Sequence, residues 1–144
     1  MPNYSYGENM ARDLTVTISG SYNKHLDRIL SARATFEALG VTVLRPHTDQ
    51  VAGIDGDIVR LQGDPDDVSA LRAAQLAAIE RSGLLYVVNP GGYVGPSANV
   101  EVGYAHRAAT PVFCAEPAFE HSVADLASGI GDVECAVAFM KARE

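Results

Sequence analysis

The chain has 144 residues and a net charge of −7; 47% of its residues are hydrophobic and 20% are charged. That length fits one domain with a real core, and the composition is that of a folded globular protein rather than a disordered chain. No basic stripe exists to replace phosphate counterions, which excludes a nucleic-acid polymer as partner but not a single nucleotide, which needs only one local anion site.

No signal peptide is visible, and no apolar run approaches the roughly 20 residues that a membrane span needs, so a cytoplasmic setting without a membrane partner is expected. The two cysteines, Cys114 and Cys135, show no metal-ligand spacing, and a reducing compartment suits them. His25, His47, His106 and His121 show none either, so no metal is expected.

Residues 1–13 form a polar lead-in or a dimer arm, and residues 14–144 are the domain. Leu14 to Ile18 is β-branched and predicts the first strand. It ends in the turn Ser19-Gly20-Ser21-Tyr22. A helix follows from about Lys24 to Leu39, with Ile29, Ala32, Phe36 and Leu39 as its apolar stripe and Gly40 as its stop. Val41 to Leu44 is the second strand, ended by Pro46. The pattern breaks from Pro46 to Asp67, a stretch rich in Asp and Gly. Ile58 to Leu61 within it predicts a strand or hairpin arm, and a segment of this length inside a compact domain usually serves as a lid or binding loop. Asp66 or Asp67 caps the next helix, which runs to about Arg81 with Val68, Leu71, Gln75 and Ile79 inward. Leu84 to Val88 is a buried third strand. Then come the glycine loop Asn89 to Gly95 and a helix opened by Pro96-Ser97, whose Val102, Ala105 and Ala109 face the sheet with Glu101 flanking them. Pro111 to Cys114 is the fourth strand. Residues 116–144 are helical, with Val133, Val137 and Met140 as a stripe and a break or short strand at Gly129 and Gly131. Alternating strands and helices imply an α/β, doubly wound, Rossmann/flavodoxin-like parallel sheet of four to five strands.

In such a sheet the loops after the first three strands open on one edge. That edge collects Ser19, Gly20, Ser21, Tyr22 and Asn23, then His47 and Asp49, then Gly91, Gly92, Tyr93, Ser97, Asn99 and Glu101. A Gly-Ser turn can hold a phosphate or a sugar hydroxyl, although it is also common turn punctuation. Glu101 lies four residues after Ser97, and Val100 takes the capping-box position, so an ordinary cap does not explain it. A partly buried carboxylate beside a pocket is a functional candidate, here a nucleophile or base at a sugar carbon. A solvated helix glutamate is the alternative. Gln75, an amide on an inward stripe, must be hydrogen-bonded, either to a loop backbone or to a ligand. His47 is otherwise a plain loop histidine.

Four blocks together resemble the nucleoside 2-deoxyribosyltransferase superfamily, which includes the 2'-deoxynucleoside 5'-monophosphate N-hydrolases. They are Ile18 to Tyr22, Val43 to His47, Leu85 to Asn89, and Ser97 to Ala105 with its Glu-Val-Gly-Tyr-Ala core. The resemblance implies Glu101 as the nucleophile at the anomeric carbon and Tyr22 as its orienter. It implies Ser21, neighbouring backbone and Ser97 around the sugar 5' end or its phosphate, and His47 near the pocket. It further implies a nucleoside or nucleotide as small-molecule partner, no cofactor, and a homodimer or larger homo-oligomer.

Two departures stand out. Spacing puts Gln75 where the family carries an Asp, and Ser82-Gly83 where it tends to have Ala-Asp. An amide hydrogen-bonds a base but is no general acid. Asp66, Asp67 or another group of the long loop then takes that role, or the substrate differs, or the chain binds without turnover. Pro90-Gly91-Gly92-Tyr93 with Glu101 downstream is also similar to the PGGxGTxxE loop of cytokinin-activating phosphoribohydrolases, which points to the same bond. Hydrolysis of a (deoxy)nucleoside 5'-monophosphate is the first expectation. Base exchange, a non-catalytic nucleotide sensor and a structural subunit are the alternatives.

Overall fold

A computed structural model describes residues 14–143 of the chain; the polar lead-in lies outside the described residues. The elements are β1 (Thr15–Gly20), α1 (Tyr22–Ala38), β2 (Thr42–Arg45), β3 (Val51–Asp55), β4 (Ile58–Leu61), α2 (Val68–Arg81), β5 (Leu84–Val88), α3 (Pro96–Arg107), β6 (Val112–Cys114), α4 (His121–Leu126), β7 (Ala127–Ile130) and α5 (Val133–Ala142).

Five strands form one sheet in the order β2-β1-β5-β6-β7, and every pairing is parallel. The expected doubly wound sheet is therefore present, at the upper end of the expected strand count. Two apolar clusters cover its faces. Ile29, Ala32 and Phe36 of α1 join Val133, Ala136, Val137 and Met140 of α5 over Val16, Ile18, Tyr86 and Phe113. On the other face Ile79 of α2, Val102 and Ala105 of α3 and Val123 of α4 cover Leu85, Val87, Val112 and Cys114. β5 is buried along its whole length, as an unbroken apolar run covered on both sides must be.

The long Asp/Gly segment contains a hairpin. β3 and β4 pair antiparallel, apart from the main sheet. Only β4 has an inward face, Val59 and Leu61, whereas β3 is exposed throughout. In the C-terminal part the short strand expected around Gly129 is present: Ala127–Ile130 forms the edge strand.

Several local expectations are corrected. Ser19 belongs to β1 and not to the following loop, because the strand extends to Gly20 to pair with Val88. Leu39 is the residue after α1 and is 38% exposed. Ala109 lies beyond the end of α3 with φ 60°, so it turns the chain away from the sheet. The cap of α3 is Gly95, with Pro96 as first helical residue. Ser97 is thus inside the first turn and caps nothing. Of the inward stripe assigned to α2, Gln75 and Ile79 are buried, but Val68 is half exposed.

Gly20 ends β1 at φ +145°, and a Cβ there would lie 2.7 Å from the Val88 carbonyl oxygen. The backbone of β1 can approach β5 at this point only without a side chain. Gly20→Ala is expected to cost about 1–3 kcal/mol in urea unfolding. Gly53→Ala, where a Cβ meets nothing within 4 Å, should stay within roughly 0.5 kcal/mol of the parent.

Candidate active site

Strand order reverses between β1 and β5, and ligands of open α/β sheets bind in the crevice at the carboxyl ends of such strands. A cavity of about 520 Å³ opens there, a volume in the usual range for small-molecule sites. Five groups of residues wall it. Gly20 to Lys24 come from the end of β1 and the start of α1, Arg45 from β2, and Asp57 to Val59 from the hairpin. The stripe Val68, Leu71, Arg72 and Gln75 comes from α2, and Tyr93 with Gly95 to Ala98 and Glu101 from the entry to α3.

Glu101 is at the back of this cavity. It lies on the buried stripe Ala98, Glu101, Val102, Ala105 of α3, so it sits within the core-facing row rather than beside it, and only 7% of it is exposed. β1 alternates its side chains. Val16 and Ile18 enter one apolar cluster, while the buried Thr17 and Ser19 point the opposite way. Thr17 Oγ1 lies 2.7 Å from Ser82 Oγ. Ser19 Oγ donates to Glu101 Oε1 at 2.6 Å, and Gln75 Nε2 donates to the same oxygen at 3.4 Å. Burial pushes the Glu101 carboxyl above the usual carboxylate range, against the pull of Ser19, Gln75 and the positive charges of Arg72 and Arg45. That is the setting of a reactive carboxylate rather than a solvated one.

Tyr22 lines the cavity, but its hydroxyl donates to the Ile18 carbonyl at 3.0 Å. Burial first, and then the Glu101 charge, push its phenol up, so Tyr22 is a neutral wall beside the carboxylate. Ser21 donates to Asn23 Oδ1 at 2.9 Å, and Asn23 Nδ2 donates to Asp57 Oδ1 at 3.3 Å, which ties the start of α1 to the hairpin turn. Ser97 Oγ accepts from Arg72 at 3.3 Å.

Four of the expected residues are outside the cavity wall: Ser19, which reaches the site through Glu101, and three others. His47 is exposed; its Nδ1 meets Arg45 at 2.7 Å and its Nε2 meets the Gln62 carbonyl at 2.6 Å. Gly92 is buried at φ +88°, where a Cβ would strike the Pro117 carbonyl oxygen at 2.5 Å. Asn99 donates to the Val94 and Gly95 carbonyls, both at 3.0 Å. The last two shape the glycine loop from behind.

Four charged residues of the wall were not singled out by the sequence alone as contacts, Lys24, Arg45, Asp57 and Arg72, while Tyr93, expected at this edge, lines the cavity too. Lys24 Nζ stands 4.9 Å from the Tyr93 ring centroid. Arg72 had a signal, since it is three residues before Gln75 on the helix and therefore shares its face. Arg45 had none, because its placement depends on Asp64, 19 residues away. Asp66 and Asp67 are not in the wall: Asp67 caps α2 through Ala70 N–H at 2.9 Å, and the Asp66 carbonyl accepts from Arg60. Asp57 is the long segment's carboxylate in the cavity.

No family model matches the chain, and no curated protein matches it. Solved structures share its fold, two of them as follows. A conserved protein from Enterococcus faecalis V583 superposes with a TM-score of 0.62 at 14% identity, over 90% of this chain and 98% of that one. The CMP N-glycosidase BcmB of Clostridium botulinum does so with a TM-score of 0.52, also at 14% identity, over 90% and 99%. At that identity the likeness shows the fold. No helix of the described residues is long and apolar enough to cross a membrane.

The buried carboxylate should cost stability. Because the folded-state pKa of Glu101 lies above its ordinary value of 4.5, the native state holds the proton more tightly than the unfolded chain. The cost is absent below the ordinary value and grows as pH rises above it. Glu101→Gln should therefore melt a few degrees higher than the parent at pH 7, and the gap should close in scans below about pH 4.5.

Proposed function

We propose that this chain cleaves the N-glycosidic bond of a (deoxy)nucleoside 5'-monophosphate, with Glu101 as nucleophile. The observation that carries the reading is the Glu101 carboxyl itself. It is buried, held at one oxygen by Ser19 and Gln75, and turned to a nucleotide-sized cavity at the switch point of the sheet. BcmB, a CMP N-glycosidase, cleaves the same type of bond and supports the reading from a protein of the same fold.

The chemistry follows from the groups present. The Glu101 carboxylate attacks the anomeric carbon, an ester bond to the sugar forms, and the bond to the base nitrogen breaks with its electron pair leaving on the base. Water then attacks the glycosyl ester, which returns the carboxylate and releases the sugar phosphate. Lys24 and Arg72 line the cavity as cations, and Ser21 and Ser97 as hydroxyls; these groups suit the 5'-phosphate. Tyr93, Leu71 and Val68 offer the flat and apolar surface that a base needs. Delivery to a second base instead of water would give base exchange with the same nucleophile. A homo-oligomer, implied by the family resemblance, belongs to this reading too.

A second reading has its own observation. Both ends of the Gln75 amide are already hydrogen-bonded, and an amide supplies no proton to a leaving base. A nucleotide-binding module that never turns over would look the same.

Incubation with each deoxynucleoside and ribonucleoside 5'-monophosphate, followed by chromatography for free base, separates the two readings. Base release is expected from at least one substrate, and Glu101→Gln should lower it by at least about a thousandfold. The acid limb of the kcat/KM profile should lie above the ordinary carboxylate value of 4.5, because the attacking group must be ionised and its pKa is raised. Binding without base release would favour the sensor, and a second base added to the mixture would expose transfer. An active Glu101→Gln variant would sink the mechanism.

A further inference from the structure

Gln75 is connected in both directions. Its carbonyl oxygen accepts from Arg45 Nε at 3.3 Å. Its amide nitrogen donates to the Ile18 carbonyl at 3.3 Å and to Glu101 Oε1 at 3.4 Å. The opposite amide orientation would set the NH2 group against the guanidinium and the carbonyl against the carboxylate, so the charges at its two ends fix the side chain one way round.

Arg45 is fixed in turn. Its NH1 and NH2 groups donate to the two oxygens of Asp64 at 2.6 and 3.3 Å, the bidentate geometry that a guanidinium favours. The Asp64 side chain is 1% exposed and that of Arg45 11%. Asp64 Oδ2 also accepts the Leu61 N–H at 2.9 Å, which anchors the pair to the end of β4. Burial alone would raise the Asp64 carboxyl, but the Arg45 hydrogen bonds and the Leu61 amide hold it below the usual range. It stays charged and keeps Arg45 in place.

We propose that Gln75, oriented by the Arg45–Asp64 pair, is a positioning residue that pins Glu101 Oε1 and leaves Oε2 as the reacting oxygen. Ser19 and Gln75 both donate to Oε1, and among the described residues Oε2 accepts no hydrogen bond. The carboxylate can then rotate little about its last bond, and its free oxygen is aimed before substrate arrives. The chain of contacts runs from β4 through Asp64, Arg45 and Gln75 to α3, so the hairpin segment sets the nucleophile as well as walling the cavity. The role of Oε2 rests on the glycosidase reading; the relay itself does not.

The test has one readout that needs no turnover. Protein labelled with 13C at the glutamate carboxyls is titrated by NMR, with the Glu101 signal assigned by its loss in Glu101→Gln. The groups facing this carboxyl are Ser19 from β1, Tyr22 from α1, Arg45 from β2 and Arg72 with Gln75 from α2. Gln75→Leu removes one donor and leaves the others. It should move the Glu101 midpoint up by at least about half a pH unit. Gln75→Glu, near-isosteric but without the donor, should move it the same way. Arg45→Lys, which keeps the charge and loses the fork, should also move it up, by less. An unchanged midpoint in both Gln75 variants overturns the relay, whatever the assay shows.

The second readout is base release. Gln75→Leu should reduce kcat by roughly ten- to a hundredfold with a small change in KM, as expected when a nucleophile is misaimed. Gln75→Asp should also be slower, because it sets a second carboxylate against the first. A faster Gln75→Asp enzyme would mean that the position serves the leaving base, and would overturn the positioning role. Failure of the parent protein to release base would remove the glycosidase reading and leave the NMR result to decide the relay.

Discussion

A single hydrogen bond, from Ser19 Oγ to Glu101 Oε1 at 2.6 Å, ties β1, the neighbour of the sheet's central strand, to the helix that carries the candidate nucleophile. A carboxylate in a parallel sheet's helix layer is otherwise unfavourable, since water is removed and nothing replaces it. The bond answers that penalty only if β1 presents a hydroxyl on that face, if α3 presents Glu101 on its core-facing row, and if the two elements are in fixed register. The register of β1 on β5 runs unbroken from Val16–Leu84 to Gly20–Val88, and α3 follows β5 through the glycine loop. Gly92 and Asn99, which lie outside the cavity wall, serve that requirement by fixing the loop's path.

The two faces of the sheet divide the work of stability and chemistry. Toward α1 and α5, β1 contributes Val16 and Ile18 to a cluster of aromatic and aliphatic side chains. There Phe36 and Tyr86 meet edge-on at 5.3 Å between ring centroids. Toward α2 and α3 the same strand contributes only hydroxyls, and the apolar cluster there begins one strand over, at β5. Apolar burial on the first face offsets what the polar column gives up on the second. The Arg45–Asp64 pair extends this polar seam outward to β2. Buried ion pairs of this kind add little net stability compared with a well-packed apolar pair. The position of this one, one side chain removed from Glu101, makes geometry the better account of its presence.

How much of this was legible in the sequence depended on the range of the interaction. The strands showed in their β-branched runs, and Leu84 to Val88 was found to the residue because a strand buried on both sides is continuously apolar. Glu101 was legible because it failed the capping-box spacing, even though the helix turned out to be capped by Gly95 and not Ser97. Ser19 was assigned to a loop, since the small-residue turn hides the last two residues of β1. The stripe Val68, Leu71, Gln75, Ile79 had the right period but a split destination. Val68, Leu71 and Gln75 line the cavity and Ile79 enters the core, a distinction that periodicity alone does not carry. Arg45 and Asp64 were invisible because an ion pair between β2 and the residues after a hairpin is a product of the tertiary fold.

Charge makes the same point at a larger scale. The chain is acidic overall, at −7, yet Lys24, Arg45 and Arg72 gather at one cavity whose acidic lining groups are Asp57 and Glu101. Net charge governs how a protein meets a long polyanion, because many phosphates must be neutralised at once along its surface. A mononucleotide presents one phosphate, and its energy depends on the few groups within a Debye length or less. Of the three cations, Arg45 is committed to Asp64, so its charge is largely balanced where it stands. Lys24 and Arg72 are exposed at the rim, and Arg72 already holds Ser97 Oγ. An anion at that rim would meet two exposed cations and a hydroxyl, while the buried carboxylate behind it stays shielded by Ser19 and Gln75. The cavity thus separates an attractive mouth from a repulsive floor, and a ligand that is anionic at one end and neutral at the other fits that polarity in a single orientation.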